Sequence, residues 1–278
     1  MNESTSHIQQ TVVAPALHQL YTLVVGREVL AFDATPSTNT ILRDHAANGA
    51  AEGLVALADE QTAGRGRRGR SWTAPPGSSL LLSVLVRPTW LAPPDGFLLT
   101  MLAAVALAEA IETTTDLPIE LKWPNDVHIA GRKLAGILVE FEAESTERTR
   151  WAIIGCGINV NWQPTESVGQ AATSIVAETG ESCDRAVLFR AVLQAFDRQY
   201  LALRNGRREA LRAAWEGRLS TLGQTVAVEL AAETFVGVAE AVDAAGGLLV
   251  RCADGTVRRV LAGDVRIRRR GSGIGDQE

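Results

Sequence analysis

A run of glycine and arginine at residues 64–70 has the clearest chemical potential in this sequence. It reads Gly-Arg-Gly-Arg-Arg-Gly-Arg, in a chain whose formal net charge is −5. Glycines let the backbone turn sharply, so successive N–H groups and the guanidinium groups can converge on a phosphate. We expect such a loop to be mobile when empty, because its charges repel each other, and to order around an anion. A solvated basic loop or a nonspecific RNA-binding patch is the alternative, whereas the spacing excludes a P-loop and a dinucleotide fingerprint.

Two further clusters lie where strand-like segments begin or end. Residues 122–126 read Lys-Trp-Pro-Asn-Asp, and proline there marks a strand end, an edge or a bulge. Asn125 offers amide groups, and Asp126 offers a hard oxygen ligand for Mg²⁺. A polar turn after a core tryptophan is the competing interpretation. Lys133 opens an apolar strand at the sheet rim, and Gly136 within that strand predicts close approach by another backbone or a ligand.

Other polar and small residues carry weaker signals. Gly155 and Gly157 lie deep in an apolar run, where glycine is costly without a packing or ligand reason, although these residues taken alone favour a structural bulge over a ligand site. In the Ser37-Thr38-Asn39 segment, a helix cap accounts for one polar side chain but not for all three. The four histidines have no ligand-like spacing. The three cysteines form no C-x-x-C pair, which argues against a zinc site or a disulfide framework and fits a reducing cytoplasm.

The elements that must position these residues form an α+β pattern followed by an all-β module. Helices and strands do not alternate regularly, which disfavours a Rossmann or TIM arrangement. Periodicity and turn signals predict helices at 38–48, 97–114, 184–205 and 208–219, and strands at 23–32, 54–60, 79–86, 120–129, 133–143 and 151–160, with a tight turn at 130–131. Five short strands, at 225–230, 235–242, 248–252, 257–260 and 265–268, predict a small β-barrel.

Length and composition limit the domain organisation. With 278 residues, 46% of them apolar, the chain can bury one substantial core and one small extra domain. We predict a weakly ordered segment over 1–25, a catalytic domain over 26–219, a β-module over 220–270 and a flexible tail over 271–278. No secretory signal is visible, and the most apolar segment, 97–110, is too short to span a bilayer. The sequence predicts a cytoplasmic protein that binds neither membrane nor DNA.

Taken in order, these segments resemble the bacterial biotin protein ligases. The resemblance rests on Ser37-Thr38-Asn39, residues 61–70 with Trp72, and residues 122–126, 132–138 and 155–159. The C-terminal module, with its glycines at 237, 246 and 247, looks like the family's SH3-like tail domain. The resemblance implies a mixed sheet with packed helices, related to class II aminoacyl-tRNA synthetases. It also implies an enzyme that uses ATP and Mg²⁺ to activate biotin as biotinyl-5′-AMP, and then transfers biotin to a lysine of a carrier protein.

The resemblance also implies roles for individual residues. Lys133 would be the central catalytic cation, with Arg67 beside it, and Asp126 would be the candidate metal ligand. Biotin would be held by Ser37, Thr38, Asn39, Gln61, Gly64, Arg65, Arg67 and Lys133, in a pocket lined by Ser83, Gly136, Gly155 and Ile158. The nucleotide would be bound by Arg68, Arg70, Trp72, Asn125, Lys133 and Asn159.

Several alternatives and one departure accompany this resemblance. A lipoate or octanoate ligase would share the general fold, and a nucleic-acid-binding protein could use the arginine loop, although it would leave the pocket motifs unexplained. Some family members carry an N-terminal helix-turn-helix domain, but only 36 residues precede Ser37 and they show no recognition helix. We therefore expect a ligase without repressor function. The expected acceptor is the biotin carboxyl carrier protein of acetyl-CoA carboxylase. Sheet edges allow a homodimer without requiring one.

Overall fold

The computed structural model describes residues 7–164, 172–230, 233–261 and 263–268. The predicted tail, residues 271–278, and the first six residues of the predicted N-terminal segment lie outside the described residues. Two β-sheets and six α-helices make up the described part of the chain.

A mixed sheet of seven strands forms the larger part of the molecule, as predicted. Strand order is β1-β2-β3-β7-β6-β5-β4, and only the β1–β2 pair is parallel. The strands are β1 (Glu28–Thr35), β2 (Leu54–Gln61), β3 (Ser79–Val86), β4 (Glu120–Lys122), β5 (Asp126–Ile129), β6 (Arg132–Ala143) and β7 (Thr149–Asn159).

Helices cover both faces of this sheet. They are α1 (Ala14–Leu17), α2 (Thr38–Ala47), α3 (Phe97–Thr115), α4 (Ile175–Thr179), α5 (Arg185–Arg204) and α6 (Arg208–Glu216). Side chains alternate across a strand, so β3 can bury Leu82 and Val84 with α3 and α5 while Leu85 packs with α2 on the other face. The segment Pro93–Thr115, which contains α3, is long and apolar enough to cross a membrane by length and composition. Most of it is buried inside the protein, however, which is typical of a core helix.

A second sheet of five antiparallel strands follows, as the sequence predicts. Its order is β11-β10-β9-β8-β12. The strands are β8 (Thr225–Glu229), β9 (Thr234–Val242), β10 (Leu248–Cys252), β11 (Val257–Val260) and β12 (Asp264–Ile267). The turn at Gly246 has φ +82° and packs so closely on Phe97 of α3 that an added Cβ would lie 2.0 Å from the ring. Only glycine therefore fits at this turn.

Trp123 joins the two sheets. It is 1% exposed, its backbone N–H donates to Thr221 Oγ1 at 3.0 Å, and its indole Nε1 donates to the carbonyl of Gly246 at 2.9 Å. Leu121, two residues earlier, donates its N–H to the carbonyl of Arg218 at 2.8 Å. Hydrogen bonds to residues 218–246 thus fix the position of the segment that carries Asn125 and Asp126.

Two sequence predictions are wrong. Where a weakly ordered segment is predicted, residues 7–25 have regular structure and core contacts: a π-helical turn (Gln9–Val13) leads into α1, Ile8 and Val13 are fully buried, and Asp197 of α5 accepts backbone N–H groups of residues 23–25. The single strand predicted at 120–129 is two strands, β4 and β5, which pair with each other because the chain reverses around the cis peptide between Trp123 and Pro124.

The remaining predicted elements agree with the structure to within a few residues. The first strand runs later than predicted, from Glu28 to Thr35. The tight turn between β5 and β6 is confirmed, since Ala130 and Gly131 have φ values of +47° and +76°, which are typical of two-residue hairpin turns.

Candidate active site

A cleft of about 730 Å³ lies over β6 and β7, between the start of α2 and the Gly/Arg loop at residues 64–70. This volume is in the range of sites for small molecules. The cleft brings together most of the residues singled out from the sequence, although they come from distant parts of the chain. Those that line it are Ser37, Thr38, Asn39, Gln61, Arg65, Arg67, Arg70, Trp72, Asn125, Asp126, Lys133, Gly136, Gly155 and Asn159.

One end of the cleft is a hydrogen-bonding recess of uncharged side chains at the start of α2, in which Asn39 Nδ2 donates to the carboxylate of Glu140 at 2.7 Å. Ser37 is the N-cap residue, but its side chain makes no capping bond. Instead Gln61 Oε1 accepts from the N–H of Thr38 at 2.8 Å and from its hydroxyl at 3.2 Å. Ser83, fully buried beneath them, has its Oγ 2.7 Å from Thr38 Oγ1 and 2.6 Å from Asn39 Oδ1. These bonds fix the side chains of the recess before any ligand arrives.

Glycines make the floor of the cleft flat. Gly136 of β6 pairs directly with Gly157 of β7, and the indole ring of Trp72 lies against both. A Cβ added at Gly157 would be 2.5 Å from that ring, and one added at Gly155 would be 2.1 Å from Asn39 Oδ1. The ladders through Gly155 and Gly157 show no register shift. Close approach of side chains, and not a bulge, therefore explains these glycines.

Lys133 provides the positive charge in the middle of the cleft. Its Nζ lies 2.7 Å from Asp126 Oδ1 and 5.6 Å from the centre of the Trp72 ring. Burial alone would raise the pKa of Asp126, but the charge and hydrogen bond of Lys133 outweigh it, so the pKa of this carboxyl is lowered. Burial also lowers the pKa of Lys122, which lies across the β4–β5 pair from Asp126. Asp126 is thus an anion already compensated by a lysine.

The surroundings of Asp126 do not fit a metal ion held by the protein. Asp126 is engaged by Lys133, and the nearest further ligand type is His128, whose Nε2 lies 4.0 Å from Asp126 Oδ2. Burial lowers the pKa of His128 to about 4, so the imidazole is neutral at pH 7. Across the part of the chain that the structure describes, no three His, Cys, Asp or Glu side chains group to hold a metal. Magnesium needs several oxygen ligands, and Asp126 with its neighbours does not supply them.

The base of the Gly/Arg loop is held by the large sheet. Arg65 makes a bidentate pair with Glu140 of β6, with N–O distances of 3.0 and 2.8 Å. Arg67 Nη1 donates to Asn125 Oδ1 at 3.1 Å, and burial lowers the pKa of Arg67. The side chain of Arg65 therefore serves as an anchor for the loop, while Arg67 points across the cleft towards Asn125.

The tip of the loop is held by the C-terminal sheet. Arg67–Gly69 form a 3-10 turn, with Arg68 in the left-handed region at φ +56°. Arg68 donates to the carbonyl of Glu229 at 2.9 Å, and Arg70 donates to Asp264 Oδ1 at 2.6 Å. Protein partners on both sheets thus offset the mutual repulsion expected of the arginines.

Four predicted residues do not line the cleft. Ser83 lies below it and supports the recess, and Arg68 faces the C-terminal sheet. Gly64 packs against the backbone of Trp72, where an added Cβ would lie 2.4 Å from the carbonyl oxygen. Ile158 is fully buried on the other face of β7, in the core with α3 and α5, because side chains alternate along the strand. The expected pocket role of the Ile158 side chain is therefore wrong.

Sequence reasoning missed other residues that shape the site. Glu140 and Asp264 hold the loop but look like ordinary surface acids in the sequence. Trp162, which closes one side and donates to Ser79 Oγ at 3.1 Å, follows β7 without a recognisable signal.

Comparison with known proteins gives consistent matches to both regions of the chain. Residues 31–159 match the profile of the Biotin/lipoate A/B protein ligase family, and residues 221–268 match the profile of the Biotin protein ligase C terminal domain. The bifunctional ligase/repressor BirA of Bacillus subtilis is 34% identical over 251 residues, covering 89% of this chain and 76% of that protein. The biotin–[acetyl-CoA-carboxylase] ligase of Mycobacterium tuberculosis is 36% identical over 236 residues, covering 83% and 85%.

A solved structure shares the fold along almost its whole length. The biotin protein ligase of Aquifex aeolicus in complex with biotin and ATP superposes with a TM-score of 0.73 at 27% identity, and covers 87% of this chain and 99% of its own. Sequence and fold thus point to the same group of proteins.

Proposed function

The chain belongs to the biotin/lipoate A/B protein ligase family, and from that membership we infer that it is an ATP-dependent biotin protein ligase. It activates biotin as biotinyl-5′-AMP with release of pyrophosphate, and it transfers the biotinyl group to a lysine of a carrier protein. The acceptor that fits the name of the mycobacterial relative is the biotin carboxyl carrier protein of acetyl-CoA carboxylase.

The observation that carries this function is that one cleft contains both a region of neutral hydrogen-bonding side chains and a region of cationic side chains. The side chains of Thr38, Gln61 and Asn39 in the recess carry no charge and are already hydrogen-bonded, with Asn39 Nδ2 donating to the Glu140 carboxylate at 2.7 Å, and such side chains suit a neutral polar ring. The cationic end, with Lys133, Arg67 and Arg70, suits phosphates. A substrate that must have its carboxylate brought to a nucleotide phosphate needs both chemistries side by side.

In the first step these cations oppose the repulsion between two anions. The carboxylate of biotin attacks the α-phosphate of ATP, and negative charge accumulates as pyrophosphate leaves. Lys133 and Arg67 supply fixed positive charge for that transition state, and one such group contributes about 10²–10³ in rate. ATP enters as its Mg²⁺ complex, so the metal arrives with the substrate. The indole Nε1 of Trp72 is buried against the floor at Gly157 and has no hydrogen-bond partner among the described residues.

In the second step the enzyme protects a mixed anhydride until a lysine amine attacks its acyl carbon. AMP leaves with the electrons of the broken carbon–oxygen bond, and the amine loses a proton. Water must be kept out meanwhile, and the Gly/Arg loop lies across the cleft in a position to do so. No nucleophile of the enzyme is needed, because the phosphoanhydride of ATP supplies the activation. Reliance on ATP and a carrier protein leads us to place this reaction in the cytoplasm.

The direct test is to incubate the protein with ATP, Mg²⁺, biotin and a carrier domain and to measure biotin on the acceptor lysine. We expect transfer that requires all four components. A parallel reaction with lipoate distinguishes the related ligase activity, and preference for lipoate would contradict the proposal. Substituting the acceptor lysine by arginine is the matched control, since it keeps the charge and removes the nucleophile.

A homodimer is a separate proposal about assembly. β1 lies at one edge of the large sheet, with its outer side unpaired among the described strands. A second copy can extend a sheet at such an edge. Light scattering coupled to size exclusion measures the mass directly, and a monomer mass at micromolar concentration would contradict pairing through β1.

A further inference from the structure

One carboxylate attaches the tip of the Gly/Arg loop to the C-terminal sheet. Arg70 Nη2 lies 2.6 Å from Asp264 Oδ1, and Arg68 Nη1 lies 3.6 Å from Asp264 Oδ2. Each oxygen of the carboxylate therefore faces a different guanidinium group. Asp264 begins β12, and its backbone pairs with Glu229 of β8, so its position is set by the sheet and not by the loop.

This arrangement has the geometry of a small phosphate site. Two guanidinium groups that face two carboxylate oxygens can also bind two oxygens of a phosphate group. Arg70 lines the cleft, and it shares with Arg68 a neighbouring cavity that the loop separates from the cleft floor. The Arg70 side chain is 55% exposed, so a ligand that extends from the cleft into this cavity can reach both arginines. A pair of this exposure contributes little stability. A polyphosphate, with several negative charges, can therefore replace a single carboxylate at these arginines.

We propose that Asp264 occupies the phosphate position of Arg68 and Arg70 while the cleft is empty, and that nucleotide phosphates displace it. The proposal rests on the proposed function only where it identifies the polyphosphate as that of ATP. The C-terminal sheet then does two things through one side chain. It holds the loop in an ordered position without ligand, and it competes with the nucleotide for the same two cations, which lowers the affinity for ATP.

The test is nucleotide binding by the Asp264→Asn variant of the full chain. The substitution keeps the shape of the side chain and removes its charge, and among the described residues the ion pairs of Asp264 are those with the two exposed arginines, so we expect the fold to tolerate it. Calorimetric titration with α,β-methylene ATP, with and without biotin, measures Kd without turnover. We expect Kd to fall about fivefold, since the binding-competent fraction of the loop increases, while the Kd for biotin stays unchanged.

Matched variants separate competition from a general change in charge. Glu240→Gln removes a carboxylate paired with Arg251 elsewhere in the same sheet, so it alters the net charge equally and should leave Kd unchanged. Asp264→Glu keeps a carboxylate, so its Kd for the analogue should resemble that of the parent. If thermal unfolding shows that Asp264→Asn is destabilised, Asp264→Ser takes its place as the uncharged variant.

The outcomes are distinct. The proposed competition is overturned if Asp264→Asn and Asp264→Ser both bind the analogue with a Kd equal to or higher than that of the parent. It is also overturned if Glu240→Gln lowers this Kd as much as Asp264→Asn does. Biotin-dependent exchange of pyrophosphate into ATP by the parent protein tests the proposed function separately. Its absence alongside tight, Asp264-dependent analogue binding would contradict the ligase and leave the competition standing. A parent protein that binds no analogue in either condition would contradict both.

Discussion

Replacing Gly157 by alanine tests whether the glycine floor positions Trp72. An added Cβ would lie 2.5 Å from Trp72 Cε2 and 2.8 Å from both Cζ2 and Nε1. Carbon atoms pack favourably at about 3.5–4.0 Å, so the ring has to retreat by roughly 1 Å into the cleft. Gly157 does not have a positive φ, so alanine is allowed by the backbone and the clash is the whole perturbation.

The expected cost is large for activity and moderate for the fold. A displacement of about 1 Å in a positioning group can cost about 10²-fold in rate. Overpacking of this kind destabilises by about 1–3 kcal/mol. The assay is biotin-dependent exchange of pyrophosphate into ATP, with urea unfolding of the same samples to show that the variant is folded.

A double-mutant cycle decides whether the ring is responsible. In a Trp72→Ala background the added methyl of Gly157→Ala meets no indole, so we expect it to change the rate less than about twofold. The reasoning is refuted if Gly157→Ala exchanges pyrophosphate as fast as the parent. An equal loss with and without the Trp72 ring would also refute it.

Three further predictions follow from the site. Lys133→Ala should lower the rate of adenylate formation by about 10²–10³ without unfolding the protein, and near-normal pyrophosphate release would contradict its assignment. Arg67→Gly should loosen the loop and release biotinyl-adenylate, seen as biotin on bystander proteins, whereas equal retention by variant and parent would exclude this. Burial lowers the pKa of His128 from 6.5 to about 4, so the unfolded chain binds its proton more readily. The contribution of His128 to the free energy of unfolding is therefore fully present above about pH 6.5, and it decreases by up to about 3 kcal/mol as the pH falls to about 4. Urea unfolding of His128→Gln should show a flatter decline, and the exposed His45→Gln control should follow the parent.

Local pattern was enough to predict much of the fold. The apolar run at 79–86 has a glycine before it and a proline after it, and β3 has those bounds. The five short strands after residue 219 were each marked by turn residues. The motif at 64–70, Lys133 and Asn125 were expected at one site, and the structure brings them to one cleft. The strands come from signals contained within a few neighbouring residues, whereas the grouping of distant residues at one site comes from the family resemblance.

The failures concern partners that are distant in sequence. Residues 7–25 look weakly patterned because their order depends on Asp197, over 170 positions away, which accepts three of their backbone N–H groups. The partners of the arginine loop, Glu140 and Asp264, cannot be recognised from the sequence, and the mobility that the loop's own charge predicts stays a prediction. Ile158 was assigned by resemblance, although the two-residue period of β7 puts it on the face opposite Gly155 and Gly157.

The indole of Trp123 has a consequence for how such a protein can be rearranged. Its N–H reaches a carbonyl in the Gly246 turn, and its backbone reaches the hydroxyl of Thr221. A chimera that took residues 221–268 from an unrelated protein would leave both donors buried without acceptors, at a cost of about 1–3 kcal/mol each. Recombination between genes should therefore preserve the pairing of these two regions, and exchanges should succeed when Trp123 and the Gly246 turn are inherited together.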